Sequence, residues 1–386
     1  MRYPTVAAIA FVVVGIIVGL LGMHAFEFNG ISLRNALEVF YPHIAEMSVT
    51  LAITVLILDR LNARQSRIEA KQRLLRELRS SDGGYAKYAL EELRSEGWLT
   101  DGSLVNGGFA RIQLPDGDLR HAVLSGANFS NAALGDANLS ESVLHDALFR
   151  WATLVKVNFS GADVQRADFY EANLEGATFV GAKTAGIQLL RANLRRADFS
   201  GASLQGLVAT GVDLTGAELS GADFENAQLA NAVLEGVEIA RAIFRLADLT
   251  GAILRNASGS ECVFTKARLN GADMCGASLP ECDFTGAELH GLTARDANFR
   301  ASRFIGVAAT GVDLTNACFS GASLANADLS GANLAGCDFT GADLRSASLR
   351  GAVIVGAKFE DAKMDGIQLP ENFEEQRMVT ISRRIP

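Results

Sequence analysis

From Ile112 to Leu369 the chain repeats a five-residue frame without insertion or deletion. Its consensus is Ala-Asp/Asn-Leu/Phe-x-Gly, seen cleanly from Ala127 to Asn131 (ANFSN) and from Ala327 to Gly331 (ADLSG). Of the 52 central positions from Leu114 to Leu369, 27 are Leu, 15 are Phe and five more are Val164, Ile239, Met274, Ile354 and Met364. Two residues before each centre stands a small residue, Ala in 36 of the 52 cases, and neither set holds a charge. An apolar pair recurring every five residues fits neither the 3.6-residue period of a helix nor the 2.0-residue period of a flat strand. The chain must turn once in every frame.

The phenylalanines show how many turns close one coil, because a solenoid stacks equivalent positions of successive coils. Central Phe residues run in steps of 20: Phe129, Phe149 and Phe169; then Phe159, Phe179 and Phe199; then Phe224, Phe244, Phe264, Phe284 and Phe304; then Phe299, Phe319, Phe339 and Phe359, which rejoin the second set. The fourth phase, Leu114 to Ile354, holds none. Four pentapeptides per coil predict a four-sided β-helix whose Phe224 to Phe304 set forms one inward ladder. These residues resemble the pentapeptide-repeat family over about two-thirds of the chain. The resemblance implies a right-handed quadrilateral β-helix, mainly β, and says little about activity. About 13 coils at ~4.8 Å spacing would span roughly 60 Å.

Five centres break the rule: Thr184, Ala209, Gly259, Ala294 and Ala309. At three of them the small partner has grown, giving Leu207, Leu292 and Val307, so core volume is conserved locally as close packing demands. Thr184 and Gly259 lack such compensation and mark the expected places for a loosened or bulged coil.

Ahead of the repeat, Thr5 to Met23 is apolar without a charge, close to the ~20 residues that cross a bilayer. A second apolar run, Met47 to Leu58, extends by helical pattern from about Pro42 to Leu61. A two-helix membrane hairpin is the favoured reading, with a cleavable signal peptide and a buried soluble hairpin as rivals. Gly15 and Gly19 form a Gly-x-x-x-Gly pair that would let another helix approach, including one from a second copy. Basic residues from Arg60 to Arg79 follow the second run, while His24 to Tyr41 holds only Arg34. By the positive-inside rule both termini would face the cytoplasm. The junctions LDRLN from Leu58 and GWLTDGSL from Gly97 also look like those of membrane-anchored bacterial family members, which implies a two-pass inner (plasma) membrane protein.

Asp59 to Arg79 reads as a charged helix, Tyr85 to Leu104 as a cap on the first coil, since solenoid ends leave strands unpaired. The expected organisation is therefore 1–61 membrane hairpin, 62–104 linker helix and cap, 105–369 β-helix, and 370–386 a polar tail.

Composition narrows the chemistry. The five His residues are isolated, and no Ser/His/Asp order, phosphate-binding loop or metal-spaced Cys/His cluster appears. No enzyme activity, cofactor or metal is expected. Cys262 and Cys282 lie 20 apart in buried small positions and read as stacked thiols. Net charge is −9, with 21 basic and 31 acidic residues from 101 to 369, which argues against direct binding of nucleic acid.

Sorted by phase, the side centred on Leu119, Leu139 and Phe159 carries 11 acidic and 4 basic residues from Asp101 onward. Asp118, Glu141, Asp198, Glu218, Glu238, Glu261, Glu281, Asp338, Glu360 and Asp361 belong to it. Two readings follow: a solubilising surface, or a docking strip for a basic protein partner. The leading expectation is a non-enzymatic, membrane-anchored scaffold. The alternative comes from the resemblance, since some family members mimic duplex DNA and bind type II topoisomerases.

Overall fold

The computed structural model describes residues 13, 15–17, 33–80 and 82–376, with side chains of the long helix from residue 46 onward. Two compact units divide the chain, 1–75 and 76–386.

Helix α1, Leu33–Leu78, is 46 residues long, and all but its last three residues belong to the first unit. It begins nine residues before Pro42 and runs on through the charged stretch, so the connection, the second apolar run and the linker are one continuous element. Met47, Leu51, Ile53, Ile57, Leu58 and Leu61 are exposed along it. Gly15 lies against it: a Cβ there would stand 2.5 Å from the Ser48 Oγ. Gly19 and most of Thr5 to Met23 lie outside the described residues.

Among the described residues no helix is long and apolar enough to cross a membrane. The expected two-pass inner-membrane location, with its bilayer contact, is corrected accordingly. The uncharged run Met47 to Leu58 has 12 residues. At 1.5 Å per residue it covers ~18 Å, against a hydrocarbon core of ~30 Å. Glu46 and Asp59 bound it at either end.

The second unit is a β-helix. Parallel bridges join residue i to i+20 from Gly108↔Asn128 to Ser348↔Gln368, with four bridging positions in each coil. Each frame places its residues by the same local rule. The small residue and the centre point inward, as with Ala127 and Phe129, both buried. The residue between them makes the bridge. The centre's carbonyl accepts from the N–H three residues on, as in Ala132 N to Phe129 O at 2.9 Å. The third residue of that turn is left-handed, as type II turns require; it is Gly at Gly161 and Asn at Asn131, with φ of 66° and 58°.

The rings of Phe224, Phe244, Phe264, Phe284 and Phe304 stack in one column with centroids 5.0, 4.9, 4.7 and 4.6 Å apart. Edge-to-face contacts join columns across the core, as between Phe149 and Phe159 at 5.8 Å. Cys262, Cys282 and Cys337 fill small slots as free, buried thiols. Their chemistry suits the slot: Cys262 Sγ donates to Ile239 O at 3.0 Å, and Cys337 Sγ to Leu314 O at 3.0 Å. Burial pushes the Cys337 thiol up to about 12.

Both ends are covered. Helix α2, Gly83–Ser95, starts at Asp82, whose carboxylate accepts from Gly84 N at 2.8 Å. It buries Ala86, Ala89, Leu90 and Leu93, and Trp98 and Leu99 are buried after it. Leu99 O accepts from Val123 N at 2.8 Å, so the cap continues the ladder. At the other end Phe373 meets Phe359 with centroids 6.2 Å apart. Gln376 substitutes for a missing coil: its Oε1 accepts from Ile354 N at 2.6 Å and its Nε2 donates to Ala352 O at 3.3 Å.

Candidate interaction surface

The four sides of the coil are labelled A to D by an early central residue of each: Leu124 for A, Phe129 for B, Leu114 for C and Leu119 for D. The acidic residues singled out in the sequence all fall on side D, but the structure divides them into three groups.

At the first coils the acids are neutralised. Arg120 grips Asp118 with a fork, Nε to Oδ1 at 2.9 Å and Nη2 to Oδ2 at 2.8 Å. Arg94 of α2 pairs with the same carboxylate. The Arg120 hydrogen bond is the largest cause holding the Asp118 carboxyl down at about 2. Glu141 lies 3.2 Å from the His121 ring. Toward the far end Asp338 turns inward on its own chain, accepting from Thr340 N at 3.0 Å, while Glu360 and Asp361 are exposed. The Thr340 hydroxyl lowers the Asp338 carboxyl below the usual range.

The middle group differs. Asp198↔Glu218 and Glu218↔Glu238 are successive bridged pairs, so three carboxylates occupy consecutive rungs of one column. Rungs lie ~4.8 Å apart. Glu261 and Glu281 continue the acid at the neighbouring turn position, each left-handed with φ of 59° and 60°. Glu218, Glu261 and Glu281 are exposed and make no ion pair or side-chain hydrogen bond among the described residues. Glu238 accepts from the Ser258 hydroxyl at 2.8 Å and Asp198 from Ser200 N at 2.9 Å.

On the other three sides many of the acids are paired across coils. Arg150 with Asp168 (2.5 Å), Arg195 with Asp213 (3.2 Å), Arg255 with Asp273 (2.6 Å) and Arg295 with Asp313 (2.6 Å) each join residues 18 apart. Arg166 with Asp146, Arg191 with Glu171, Arg245 with Glu225 and Arg268 with Asp248 join residues 20 apart. Counting charge per side could not reveal this contrast, although the spacings of 18 and 20 are readable once the coil length is known.

No group of His, Cys, Asp and Glu among the described residues could hold a metal ion. What remains is a ladder of inter-coil hydrogen bonds wrapped around a Leu/Phe core. Eight copies of the pentapeptide-repeat model match the chain between residues 109 and 361. The chain belongs to the pentapeptide-repeat family. Among solved structures it is similar to HetL, a pentapeptide repeat protein involved in heterocyst differentiation regulation from the cyanobacterium Nostoc. That likeness has 25% identity over 73% of this chain and 96% of HetL, with a TM-score of 0.25. It is also similar to QnrB1, a plasmid-mediated fluoroquinolone resistance protein, at 18% identity over 60% of this chain and 94% of that one, with a TM-score of 0.30. None of the curated proteins matches the chain.

Proposed function

We propose that this pentapeptide-repeat protein is a non-enzymatic scaffold whose β-helix, about 13 coils by its 20-residue step, binds a basic protein partner along Asp198, Glu218, Glu238, Glu261 and Glu281. The observation that carries this reading is the contrast in pairing. Like charges directly opposite one another in a sheet destabilise it. Elsewhere in the β-helix many acids are paired with an Arg, whereas along this strip no acid forms an ion pair among the described residues, Glu261 included although Arg241 stands one rung before it. A surface kept at a cost in stability is the signature of a binding site, and a basic partner would supply the missing counter-charges.

The DNA-mimic reading has weaker support. Duplex DNA carries one charge per ~1.7 Å of axis, whereas this column offers about one per ~4.8 Å rung, and only over its middle.

The test is to reverse four exposed or half-exposed carboxylates together, Glu218→Lys, Glu238→Lys, Glu261→Lys and Glu281→Lys. The full chain and this variant are used as bait, and retained proteins are identified by mass spectrometry. The expected result is a partner held by the wild type, released as salt rises from about 50 to 500 mM as screened charges require, and lost by the variant without a fall in thermal stability. Equal capture by both proteins returns the strip to a solubilising role. Inhibition of a purified type II topoisomerase by the wild type, abolished in the variant, would establish the DNA-mimic reading instead.

A further inference from the structure

The ladder of bridges between Gly108 and Gln368 is interrupted at one place among the described residues. Lys183 is not bridged to Ser203, nor Gln188 to Val208, while Thr178↔Asp198 and Asn193↔Asp213 in the same coils are intact. Two adjacent sides of the coil have parted while the other two hold. Each lip stays bonded to its own outer neighbour: Lys183 N to Ala162 O at 2.9 Å, Gln188 N to Ala167 O at 3.0 Å, Leu204 N to Asp223 O at 2.7 Å and Ala209 N to Gln228 O at 3.0 Å.

The parting coincides with departures from the repeat in the core. Ile187 stands in a small slot beside a full-sized Leu189, and Leu207, offset by the small centre Ala209, stands in the slot stacked on it. Meanwhile Thr184, in a Leu/Phe position, is too small to fill its side, and its hydroxyl donates across the gap to Ser203 O.

What is left is an open cleft of about 360 Å³ lined by Thr184, Ile187, Leu189, Leu204, Leu207 and Val208, within the ~300–1,000 Å³ range of binding sites. Its lips carry the ladder's unbonded groups. One lip presents the N–H of Gly186, Leu189 and Arg191 with the C=O of Ala182 and Ile187. The other presents the C=O of Gln205, Val208 and Thr210 with the N–H of Ser203 and Val208, none of which bonds across the gap. Alternating donors and acceptors are what a strand edge offers, and here two such edges face each other over apolar walls.

An apolar and aromatic strip runs to the mouth. Leu190 and Val208 are 44% and 53% exposed. Beside Leu190 the Tyr170 hydroxyl accepts from Arg191 at 3.4 Å, and the Tyr170 ring meets Trp151 edge-on at 5.9 Å. Trp151 is 48% exposed and takes a left-handed turn position, φ 57°, where Gly161 and other turns use glycine. Trp, Tyr and Arg are the residue types that anchor protein interfaces.

We infer that this cleft is a second interaction site, separate from the acidic strip, which receives an extended apolar segment of a protein partner as an inserted β-strand. A small apolar molecule would fill the walls but leave the facing amides and carbonyls unmet. A peptide backbone can meet both lips once it displaces the Thr184 hydroxyl from Ser203 O and the lips part to two strand spacings, ~9.6 Å, by the strand-addition mode that uses main-chain bonds for affinity and side-chain pockets for choice.

The experiment selects random dodecapeptides displayed on phage against the full chain, then follows amide hydrogen exchange with the enriched peptide bound. The expected outcome is enrichment of peptides with alternating apolar residues, slowing exchange at Gly186, Leu189, Arg191, Ser203 and Val208 by about tenfold or more. Val208→Asp and Leu190→Asp, both at exposed positions, should each abolish peptide binding without lowering the unfolding temperature. The fourfold Glu→Lys variant should bind the peptide normally, which separates this site from the acidic strip. The inference is overturned if no peptide is enriched, if enriched peptides protect other amides, or if both Asp variants bind unchanged. It also fails if these amides in the free protein already exchange as slowly as those of Leu194 and Phe199, which would mean that the ladder closes in solution.

Discussion

At the scale of single residues, the fold tolerates exceptions by moving the backbone where a side chain is missing. Gly259 stands at a Leu/Phe position, and the chain there closes on the previous coil. A Cβ on Gly259 would lie 2.5 Å from Ala240 N and 2.7 Å from Ile239 C, and φ is +153°. Gly259→Ala should therefore cost about 2 kcal/mol or more, combining strain and overpacking. Gly291→Ala is the control. Gly291 has nothing within 4 Å of its would-be Cβ and φ of +65°, and Ala301 already holds the equivalent turn position with φ 57°. Denaturant unfolding of the two variants checks the contrast, and equal losses would refute it. The position of the exception is legible in the sequence, because Gly259 and Thr184 lack an enlarged partner. Its form is not: one site closes on the previous coil and the other parts, and that depends on how whole coils pack on one another rather than on any one frame.

At the scale of elements, regular coils are readable and irregular helices much less so. A five-residue frame and Phe spacing of 20 fix turn, strand and register because every coil repeats the same local solution. Helix α1 has no such redundancy. Pro42 reads as a helix start, yet α1 runs from Leu33 to Leu78, and a short apolar run bounded by Glu46 and Asp59 reads as longer than it is.

The cap α2 is readable by its N-cap Asp82 and its buried Ala86, Ala89, Leu90 and Leu93, but its tie to the first coil through Arg94 and Asp118 is not, since it joins residues 24 apart. That tie has a pH dependence. The Asp118 carboxyl is held at about 2 in the folded protein, first by Arg120 of its own coil and to a smaller extent by Arg94 of the cap, below the ~3.9 of an unpaired aspartate. A depressed carboxyl stabilises the fold above the unfolded value, and the contribution is lost as pH falls from about 4 to about 2. Buried Trp98 should become exposed over that interval, read by fluorescence in a Trp151→Phe background so that one of the two Trp residues reports alone. Asp118→Asn should flatten the transition. An identical acid transition in the Asn variant would show that another group governs the cap.

At the scale of the molecule, stability in a solenoid is close to a sum of coils and the interfaces between them. Charge pairing is then a local matter settled coil by coil. On three sides many acids meet an Arg or Lys placed 18 or 20 residues away. In the middle of side D no acid forms such a pair among the described residues, even though Arg241 stands 20 residues before Glu261; its excess of acid is legible from phase alone, while the absence of ion pairs needed the coordinates. On the proposed reading, repulsion along that strip lowers the stability of the coils that carry it.

Thermal unfolding of Glu218→Lys tests this most directly, because Glu218 is exposed and stands between Asp198 and Glu238 in one column. The substitution turns two repulsive pairs into two attractive ones, each worth about 0.2–1 kcal/mol. The variant should melt about 2–4 °C above the wild type at low salt, with the gap closing as salt rises. A variant that melts at or below the wild-type temperature at low salt would show that the acids do not repel, and would contradict the claim that the strip is held for binding at the expense of stability.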